Sequence, residues 1–290
     1  FTARFIAREC GILTEDGLAI EASEFRDLDI ESKKEVASRL QVMARSTPMD
    51  KLELVKTSKS MGKIISVTGD GTNDAVSLKA AHVGLSMGLC GTEIAKEASD
   101  IVILDDNFNS IVKSVMWGRS VYENIRKFLQ FQITINFAAL VITFVGSITS
   151  NGFPLSPVQL LWINLIMDTF AALALATEPP SDDLLAGKPP GPQDNLITND
   201  MWKNIFVQGM YQIGALLTLI YAHEMIFGPI GPDNPLSKKR NAEDFTMVFN
   251  TFIFCQIFNQ FNCRKINNEF DIFSKLGHSW IFLLITALST

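Results

Sequence analysis

The segment Ile64-Ile65-Ser66-Val67-Thr68-Gly69-Asp70-Gly71-Thr72-Asn73-Asp74 decides how the first part of the chain folds. It begins as an apolar run, which is typical of a buried strand, and ends as a turn rich in glycine and carboxylate. We therefore predict a buried strand at Lys63–Thr68 and a helix at Asn73–Ala81. In a parallel sheet, functional side chains lie just beyond the carboxyl ends of the strands, which is where this order puts Asp70.

Helix-like and strand-like patterns alternate on both sides of this segment, over residues 1–112. A helix is predicted to begin at Thr47-Pro48-Met49-Asp50, because Thr47 can cap it, Pro48 suits its first position and Asp50 stands at the capping-box distance. Gly62 is expected to end it. Further strands are predicted at residues 83–87 and 100–104, with a helix at 92–98 between them. Such alternation indicates an α/β fold with a parallel sheet.

The turn carries residue types that suit a phosphate and a metal ion. Gly69 and Gly71 let backbone amides approach a phosphate, and the following helix N-terminus adds partial positive charge. A carboxylate would repel phosphate there, so Asp70 is expected to hold Mg²⁺ between itself and phosphoryl oxygens. Lys51 can supply positive charge to the same oxygens. The alternative is an acidic, glycine-rich surface turn with a solvated lysine nearby.

Beyond residue 112 the character of the chain changes to long uncharged segments. A helical pattern with Lys113, Arg119, Arg126 and Lys127 is followed by no charged residue before Asp168. We predict a stalk helix at residues 113–127 and a transmembrane helical domain at 128–290. Its spans are expected at about 128–149, 157–177, 204–226, 245–262 and 279–290, the last one cut short. A spanning helix needs ~20 apolar residues, which the first two segments supply.

Asp168 is an ionisable residue in an otherwise apolar span, and Asn164 lies one turn before it. A charge at the centre of a membrane costs roughly 2.5–3.5 kcal/mol on insertion scales, so such residues usually serve a function. Two oxygen-bearing side chains on one helical face, directed into a bundle, suit a hard cation such as Ca²⁺. The alternative is a structural polar pair that binds neighbouring helices.

Composition agrees with a chain that is part soluble and part membrane-embedded. Hydrophobic residues make up 47% of the 290 residues, yet 19% are charged. The net charge of -6 argues against nucleic acid as a partner. None of the four cysteines forms a close-spaced pair, so we expect free thiols.

Several motifs together resemble P-type ATPases, pumps built on a haloacid-dehalogenase-like phosphorylation domain. The first group comprises Thr68–Asp74, Ala80-Ala81, Glu97-Ala98-Ser99-Asp100 and Asp105-Asp106-Asn107-Phe108. The second comprises Leu129–Gln132, Trp162–Asp168 and Ala172–Pro180, and it resembles the plasma-membrane (calmodulin-regulated) type of calcium pump, including its plant autoinhibited relatives. The resemblance covers essentially the whole chain.

The resemblance implies a haloacid-dehalogenase-like, Rossmann-like parallel sheet, of which residues 1–112 would be the later part. Asp70 would hold the catalytic Mg²⁺, Asn73 and Asp74 would order the phosphorylation site, and Lys51 would contact the phosphoryl group. The phosphate-binding part of the turn would be Gly69, Gly71 and Thr72. The phosphorylated aspartate of the family lies in an Asp-Lys-Thr-Gly-Thr motif that this sequence does not contain. We therefore expect a C-terminal fragment, inactive alone, of an ATP-driven pump that exports Ca²⁺ from the cytosol through an aspartyl phosphate.

The resemblance also bears on the number of ions carried. Compared with the sarcoplasmic-reticulum type, three oxygen ligands of one site are replaced or neutralised here, at Ala139, Met167 and Gln256. Asn164 and Asp168 of the other site remain, with Asn136 as a further candidate Ca²⁺ ligand. One Ca²⁺ per cycle is predicted, with the site completed by a glutamate and backbone carbonyls from a helix that this sequence does not contain.

Other interpretations and partners stay open at this point. The alternatives are a pump that carries another cation, such as Na⁺ or H⁺, and a non-catalytic membrane fragment that regulates an intact pump. The expected partners are the lipid bilayer and Ca²⁺, with calmodulin acting through segments outside this sequence. The plasma membrane is the expected location, with the vacuole or another endomembrane as alternatives.

Overall fold

The computed structural model describes residues 1–149, 155–177, 180, 183–187, 191, 194–222, 236–265 and 280–289. The chain divides into two compact units. The first comprises Phe1–Val115 with Gly187–Asp194, and the second comprises Met116–Ala186 with Asn195–Thr290.

The first unit alternates helices and strands, as the sequence predicts for its α/β part. The elements are α1 (Thr2–Glu9), β1 (Leu18–Glu21), α2 (Ala22–Arg26), α3 (Ile30–Arg39), β2 (Leu40–Ala44), α4 (Pro48–Ser60), β3 (Ser66–Gly69), α5 (Ala75–Ala80), β4 (Val83–Met87), α6 (Glu93–Ala98) and β5 (Ile101–Ile103). A short 3-10 turn at Thr72–Asp74 leads from β3 into α5.

The strands form two small parallel sheets, so the predicted parallel pairing is confirmed. One sheet pairs β1 with β2, and the other has the order β3-β4-β5. In the second sheet Ser66 lies opposite Val83, and Leu85 lies opposite Ile101. Leu85 belongs to a small buried cluster of this sheet with Met87 and Ile103. The carboxyl ends of the three strands consequently meet at one edge, which is the edge where Asp70 follows β3.

The prediction of a buried strand at Lys63–Thr68 is wrong in two respects. The strand begins later, at Ser66, and Ser66 and Thr68 are exposed while Val67 is half-buried. The reason is position, because β3 is an edge strand with β4 as its one neighbour in the sheet. The predicted helix at Asn73–Ala81 is also shorter, since the 3-10 turn takes up its first residues and α5 ends at Ala80.

Helix α4 begins as its capping signal predicts. The Thr47 side chain accepts a hydrogen bond from the Asp50 N–H, and the Asp50 carboxylate in turn accepts from the Thr47 N–H. Pro48 occupies the first turn of the helix. Gly62 follows the helix with a φ of 76°, a left-handed conformation that glycine adopts without strain.

The second unit is helical. Its elements are α7 (Phe108–Thr149), which begins in the first unit, α8 (Pro157–Trp162), a π turn (Ile163–Met167), α9 (Asp168–Ala176), α10 (Asp183–Ala186), α11 (Asn199–Tyr221), α12 (Leu236–Cys263) and α13 (Trp280–Ser289). The predicted stalk and the predicted first span are thus one continuous helix of 42 residues. At 1.5 Å per residue α7 is about 63 Å long, about twice the thickness of a bilayer's hydrocarbon core.

Two segments among the described residues are long and apolar enough to cross a membrane, namely Phe108–Thr149 and Pro157–Ala176. They include the first predicted span and all of the second except Thr177, which caps the end of α9. Helices α11 and α12 overlap the third and fourth predicted spans, and α12 begins earlier than predicted, at Leu236. Residues 223–226 of the third span, and 279 and 290 of the fifth, lie outside the described residues.

The core of the helical unit is apolar. Fully buried side chains from α7, α9, α12 and α13 include Phe131, Ile135, Leu175, Phe252 and Phe282.

In both units the cysteines are free, as expected from their spacing.

Candidate functional site

Asp70 lies directly after β3, at the carboxyl edge of the three-stranded sheet. Its backbone carbonyl accepts a hydrogen bond of 2.8 Å from the Thr92 N–H, which ties the turn to the start of α6. The residue is exposed, and within the described part of the chain its carboxylate joins no hydrogen bond or ion pair. Asp70 therefore presents a carboxylate that is available to an external ligand.

Lys51 and Asp74 are brought together in this turn. The Lys51 Nζ, on the first turn of α4, lies 2.5 Å from the Asp74 Oδ1. The Asp74 Oδ2 also accepts a hydrogen bond from the Gly71 N–H at 3.3 Å. Asp74 thereby fixes both the shape of the glycine turn and the position of the lysine ammonium. The lysine predicted to face phosphoryl oxygens is thus held at the same turn as Asp70.

Close packing explains why glycine precedes Asp70. A Cβ at Gly69 would lie 2.5 Å from the Asp74 Cβ, which is closer than real atoms approach. A Cβ at Gly71 would be 3.6 Å from the Asp74 Oδ2, an ordinary contact. Gly69 is therefore required by the fold of the turn, whereas Gly71 has space for a side chain. Thr72 and Asn73 are exposed in the 3-10 turn.

Asp106 organises the loop that follows β4, a role that was not predicted from sequence. Its carboxylate accepts hydrogen bonds from three consecutive backbone N–H groups, those of Gly88 at 2.6 Å, Leu89 at 3.0 Å and Cys90 at 2.7 Å. These donors lower the pKa of Asp106 to about 2. The Asp106 carboxylate in turn raises the pKa of the Cys90 thiol. The available signal was Asp105-Asp106-Asn107 directly after a strand, where carboxylates often bind loop amides.

The edge of the sheet fits Mg²⁺ through Asp70. Among the described residues no group of three or more His, Cys, Asp or Glu can surround a metal ion. Mg²⁺ does not need such a cage, because it usually keeps several waters and takes one or two carboxylates together with phosphate oxygens. Asp70 has a free carboxylate for this purpose, whereas the Asp74 carboxylate is already bound to Lys51 and Gly71.

In the helical unit, Asp168 follows the π turn. Its N–H donates to the Ile163 carbonyl five residues earlier instead of four. Such π turns inside α-helices are frequent at functional sites. Asp168 is 7% exposed, and its Oδ2 accepts a hydrogen bond of 2.7 Å from the Gln132 Nε2 on α7. The Asp168 Oδ1 is buried and has no hydrogen-bond partner among the described residues.

The expectation that Asn164 and Asp168 face the bundle interior together is not met within the described helices. Asn164 is exposed while Asp168 is buried. Asn136 on α7 is also exposed. Of the three predicted cation ligands, Asp168 is the buried one.

Buried carboxamides in the helical unit were largely missed from sequence. The Gln256 Nε2 on α12 donates to the Gln212 Oε1 on α11 at 2.8 Å, and both side chains are fully buried. Gln130 on α7 lies beside Cys263, with 3.7 Å between its Nε2 and the sulfur. Gln130 and Gln132 were visible as polar residues in a charge-free span, but their partners depend on tertiary packing.

Comparison with known proteins gives the same family as the motifs. Residues 152–290 match the family described as "Cation transporting ATPase, C-terminus". The chain is 51% identical over 294 residues to putative calcium-transporting ATPase 13, plasma membrane-type, of Arabidopsis thaliana, an alignment that covers 100% of this chain and 28% of that protein. It is 49% identical over 286 residues to calcium-transporting ATPase 2 of Schizosaccharomyces pombe (strain 972 / ATCC 24843), covering 98% of this chain and 22% of that protein.

A relative from rice is also a calcium-transporting ATPase by name. The chain is 48% identical over 288 residues to probable calcium-transporting ATPase 6, plasma membrane-type, of Oryza sativa subsp. japonica, covering 99% of this chain and 28% of that protein. The chain thus spans about a quarter of the length of the curated relatives that it matches. The chain thus contains the C-terminal domain of the cation-transporting ATPases, and over its whole length it is similar to calcium-transporting ATPases, including two of plasma membrane-type.

Proposed function

We propose that the intact protein exports Ca²⁺ from the cytosol, driven by ATP through an aspartyl-phosphate intermediate, with one Ca²⁺ moved per cycle. The observation that carries this proposal is Asp168, a buried carboxylate in an apolar segment long enough to cross a membrane. The names of the relatives, which are calcium-transporting ATPases of plasma-membrane type, support the choice of ion and of membrane.

The first unit serves as the later part of a haloacid-dehalogenase-like phosphorylation domain. Its three-stranded parallel sheet and the free Asp70 carboxylate at the carboxyl edge support this role. Asp70 would hold Mg²⁺, which when bound neutralises charge on phosphoryl oxygens. Gly69, Gly71 and Thr72 shape the turn that receives the phosphate.

Lys51 and Asp74 act together in this scheme. The 2.5 Å contact between the Lys51 Nζ and the Asp74 Oδ1 holds the ammonium at the turn before any phosphate arrives. A positive charge that is already in place stabilises the developing charge of phosphoryl transfer without further reorganisation. Asn73, exposed beside Asp74, completes the group that orders the phosphorylation site.

The second unit carries the ion. Asp168 supplies a buried carboxylate oxygen, and Ca²⁺ takes oxygen ligands in proteins. Asn164, four residues earlier, and Asn136 on α7 remain proposed ligands, and both residues are exposed. Ala139 and Met167 bring no side-chain oxygen to a second site. A single carboxylate among these residues suits one divalent ion per cycle.

A pump for another cation is the second candidate, since one carboxylate with amides can also bind Na⁺ or H⁺. Regulation by calmodulin, implied by the family resemblance, stays a prediction. The two ion assignments differ in which cation starts phosphorylation of the enzyme.

The test is Ca²⁺-dependent phosphoenzyme formation from labelled ATP on the intact ATPase. We expect acid-stable label only with micromolar Ca²⁺ in the wild type, and loss of the Ca²⁺ dependence in Asp168→Asn. The matched control is Asp200→Asn, the same substitution at the start of α11, where Asp200 forms an exposed pair with Lys203 at 3.1 Å. It should behave as the wild type. Labelling that ignores Ca²⁺ but follows another cation would transfer the assignment to the second candidate.

A further inference from the structure

The Asp168 carboxylate receives its hydrogen bond from a neutral group. The Gln132 Nε2 lies 2.7 Å from the Asp168 Oδ2, and none of the ion pairs in the described part of the chain includes Asp168. A carboxylate buried among apolar helices normally has a basic partner or a bound cation. In this structure the Gln132 carboxamide takes the partner's place on one side of the carboxylate.

This hydrogen bond fixes how the carboxylate is presented. Because Oδ2 is engaged by Gln132, Oδ1 is the oxygen left over, and it is buried without a partner. The Gln132 Oε1 is likewise buried without a partner. Both atoms accept hydrogen bonds and cannot donate one, so they do not satisfy each other. A cation satisfies such oxygens, and carboxylate and carboxamide oxygens are the ligands that Ca²⁺ takes in proteins.

We propose that Gln132 is a positioning residue of the cation site, which holds Asp168 by its Oδ2 so that Oδ1 is presented to the transported ion. The inference rests on the proposed function, and it gives a role to Gln132, a residue of the Leu129–Gln132 motif to which the sequence assigns none. Without the Gln132 N–H, the carboxylate loses its single described donor and its fixed orientation. The Asp168 carboxylate must then be ordered when the ion binds, and this lowers the affinity of the site for the ion.

The test compares isosteric substitutions on the same helix in the intact ATPase. Gln132→Met keeps the length and volume of the side chain and removes the N–H. Gln130→Met is the control, since Gln130 lies two positions earlier on α7, is 3% exposed and contacts Cys263 instead of Asp168. The readouts are the Ca²⁺ concentration for half-maximal phosphorylation by ATP and the maximal phosphoenzyme level.

Gln132→Met is expected to raise the half-maximal Ca²⁺ concentration about tenfold or more, since hydrogen bonds to charged groups are among the stronger ones. The maximal phosphoenzyme level should stay at the wild-type value, which also shows that the variant is folded. Gln130→Met should leave the half-maximal concentration within about twofold, as substitutions outside a shared network usually do. If the Gln132 side chain only filled space, Gln132→Met and Gln130→Met would change the half-maximal Ca²⁺ concentration to the same extent.

A second variant covers the case in which Gln132→Met does not fold. Gln132→Asn keeps the carboxamide but withdraws it by one methylene, so it too should raise the half-maximal Ca²⁺ concentration. If either folded variant keeps the wild-type concentration, the inference is overturned while the calcium assignment stands. If the wild type itself shows no Ca²⁺ dependence, the proposed function fails, and the inference fails with it.

Discussion

At Gly69 the absence of a side chain makes room for Asp74, and Asp74 holds Lys51. The shape of the turn after β3 therefore requires a residue without a Cβ at position 69. A Cβ at this position would meet the Asp74 Cβ at 2.5 Å, and backbone or side chain must then shift. The shift would move the Lys51 ammonium away from the place where phosphoryl oxygens are expected.

We predict that Gly69→Ala lowers the rate of phosphoenzyme formation in the intact ATPase by about 100-fold, as misplacements of ~1 Å can do. The control is Gly118→Ala on α7, where a new Cβ has nothing within 4 Å. That variant should phosphorylate at the wild-type rate, because the added methyl group displaces no neighbour and alanine favours the helix more than glycine does. An unchanged rate for Gly69→Ala would show that the turn tolerates a displaced Asp74.

Asp106 gives a prediction about pH. Its pKa is lowered from an ordinary value of about 3.9 to about 2, so the ionised form is the one that the fold stabilises. This contribution is fully present above pH ~4 and is lost as the pH falls toward 2. The backbone N–H groups of Gly88, Leu89 and Cys90 should then exchange faster than the intrinsic rate change with pH explains.

Hydrogen–deuterium exchange of the peptide covering residues 88–90 measures this effect. Asp106→Asn should deprotect the peptide at neutral pH, because a neutral amide oxygen is the weaker acceptor. Asp105→Asn is the control, since the Asp105 carboxylate bonds the Ser110 hydroxyl and the Asn107 N–H and none of these three amides. Equal protection in both variants would contradict the role given to Asp106.

Among the elements, α11 and α12 are joined by a buried pair of carboxamides, Gln212 and Gln256. Removing one partner leaves the other buried and unpaired, which costs about 1–3 kcal/mol, whereas replacing both with apolar groups can be nearly neutral. Gln256→Leu should therefore destabilise the protein by that amount. The double variant Gln212→Leu/Gln256→Leu should cost less than the sum of the two single variants.

Thermal unfolding of the detergent-solubilised protein gives these free energies. Gln208→Leu serves as the control, because the one side-chain hydrogen bond that Gln208 forms within the described residues is a long one, 3.5 Å from Asn262 at the surface of the same two helices. It should change the unfolding free energy by no more than ~0.5 kcal/mol. Additive effects in the double variant would mean that Gln212 and Gln256 do not depend on each other.

The elements also show which parts of the fold are predictable from sequence. The start of α4 was predictable because Thr47 and Asp50 are local partners three residues apart. The exposure of β3 was not, because an apolar run does not say whether a strand lies at the edge of its sheet. The π turn before Asp168 was also beyond the sequence, since the 3.6-residue period predicts an ordinary turn there.

The candidate site likewise contains features that could be predicted from sequence and features that could not. Lys51 and Asp74 could be predicted to act at one turn, because a strand and a helix start both lead there. Gln132 could not be given a partner from sequence, since its hydrogen bond to Asp168 joins residues from separate helices. The exposure of Asn164 likewise depends on tertiary packing, which its sequence does not show.

At the scale of the whole molecule, an α/β unit and a helical unit share the single helix α7. Its 42 residues far exceed what a bilayer requires. This organisation agrees with an ATPase whose phosphorylation chemistry and ion binding lie in different parts of one chain. The proposed function therefore includes transport as well as phosphorylation.

The most direct test is ATP-driven Ca²⁺ uptake into sealed vesicles that contain the intact ATPase, with Ca²⁺ moved and ATP hydrolysed measured together. We predict uptake that requires ATP, a ratio of one Ca²⁺ per ATP, and no uptake in Asp168→Asn. Uptake that persists in Asp168→Asn, or a wild type that hydrolyses ATP without moving Ca²⁺, would contradict this prediction.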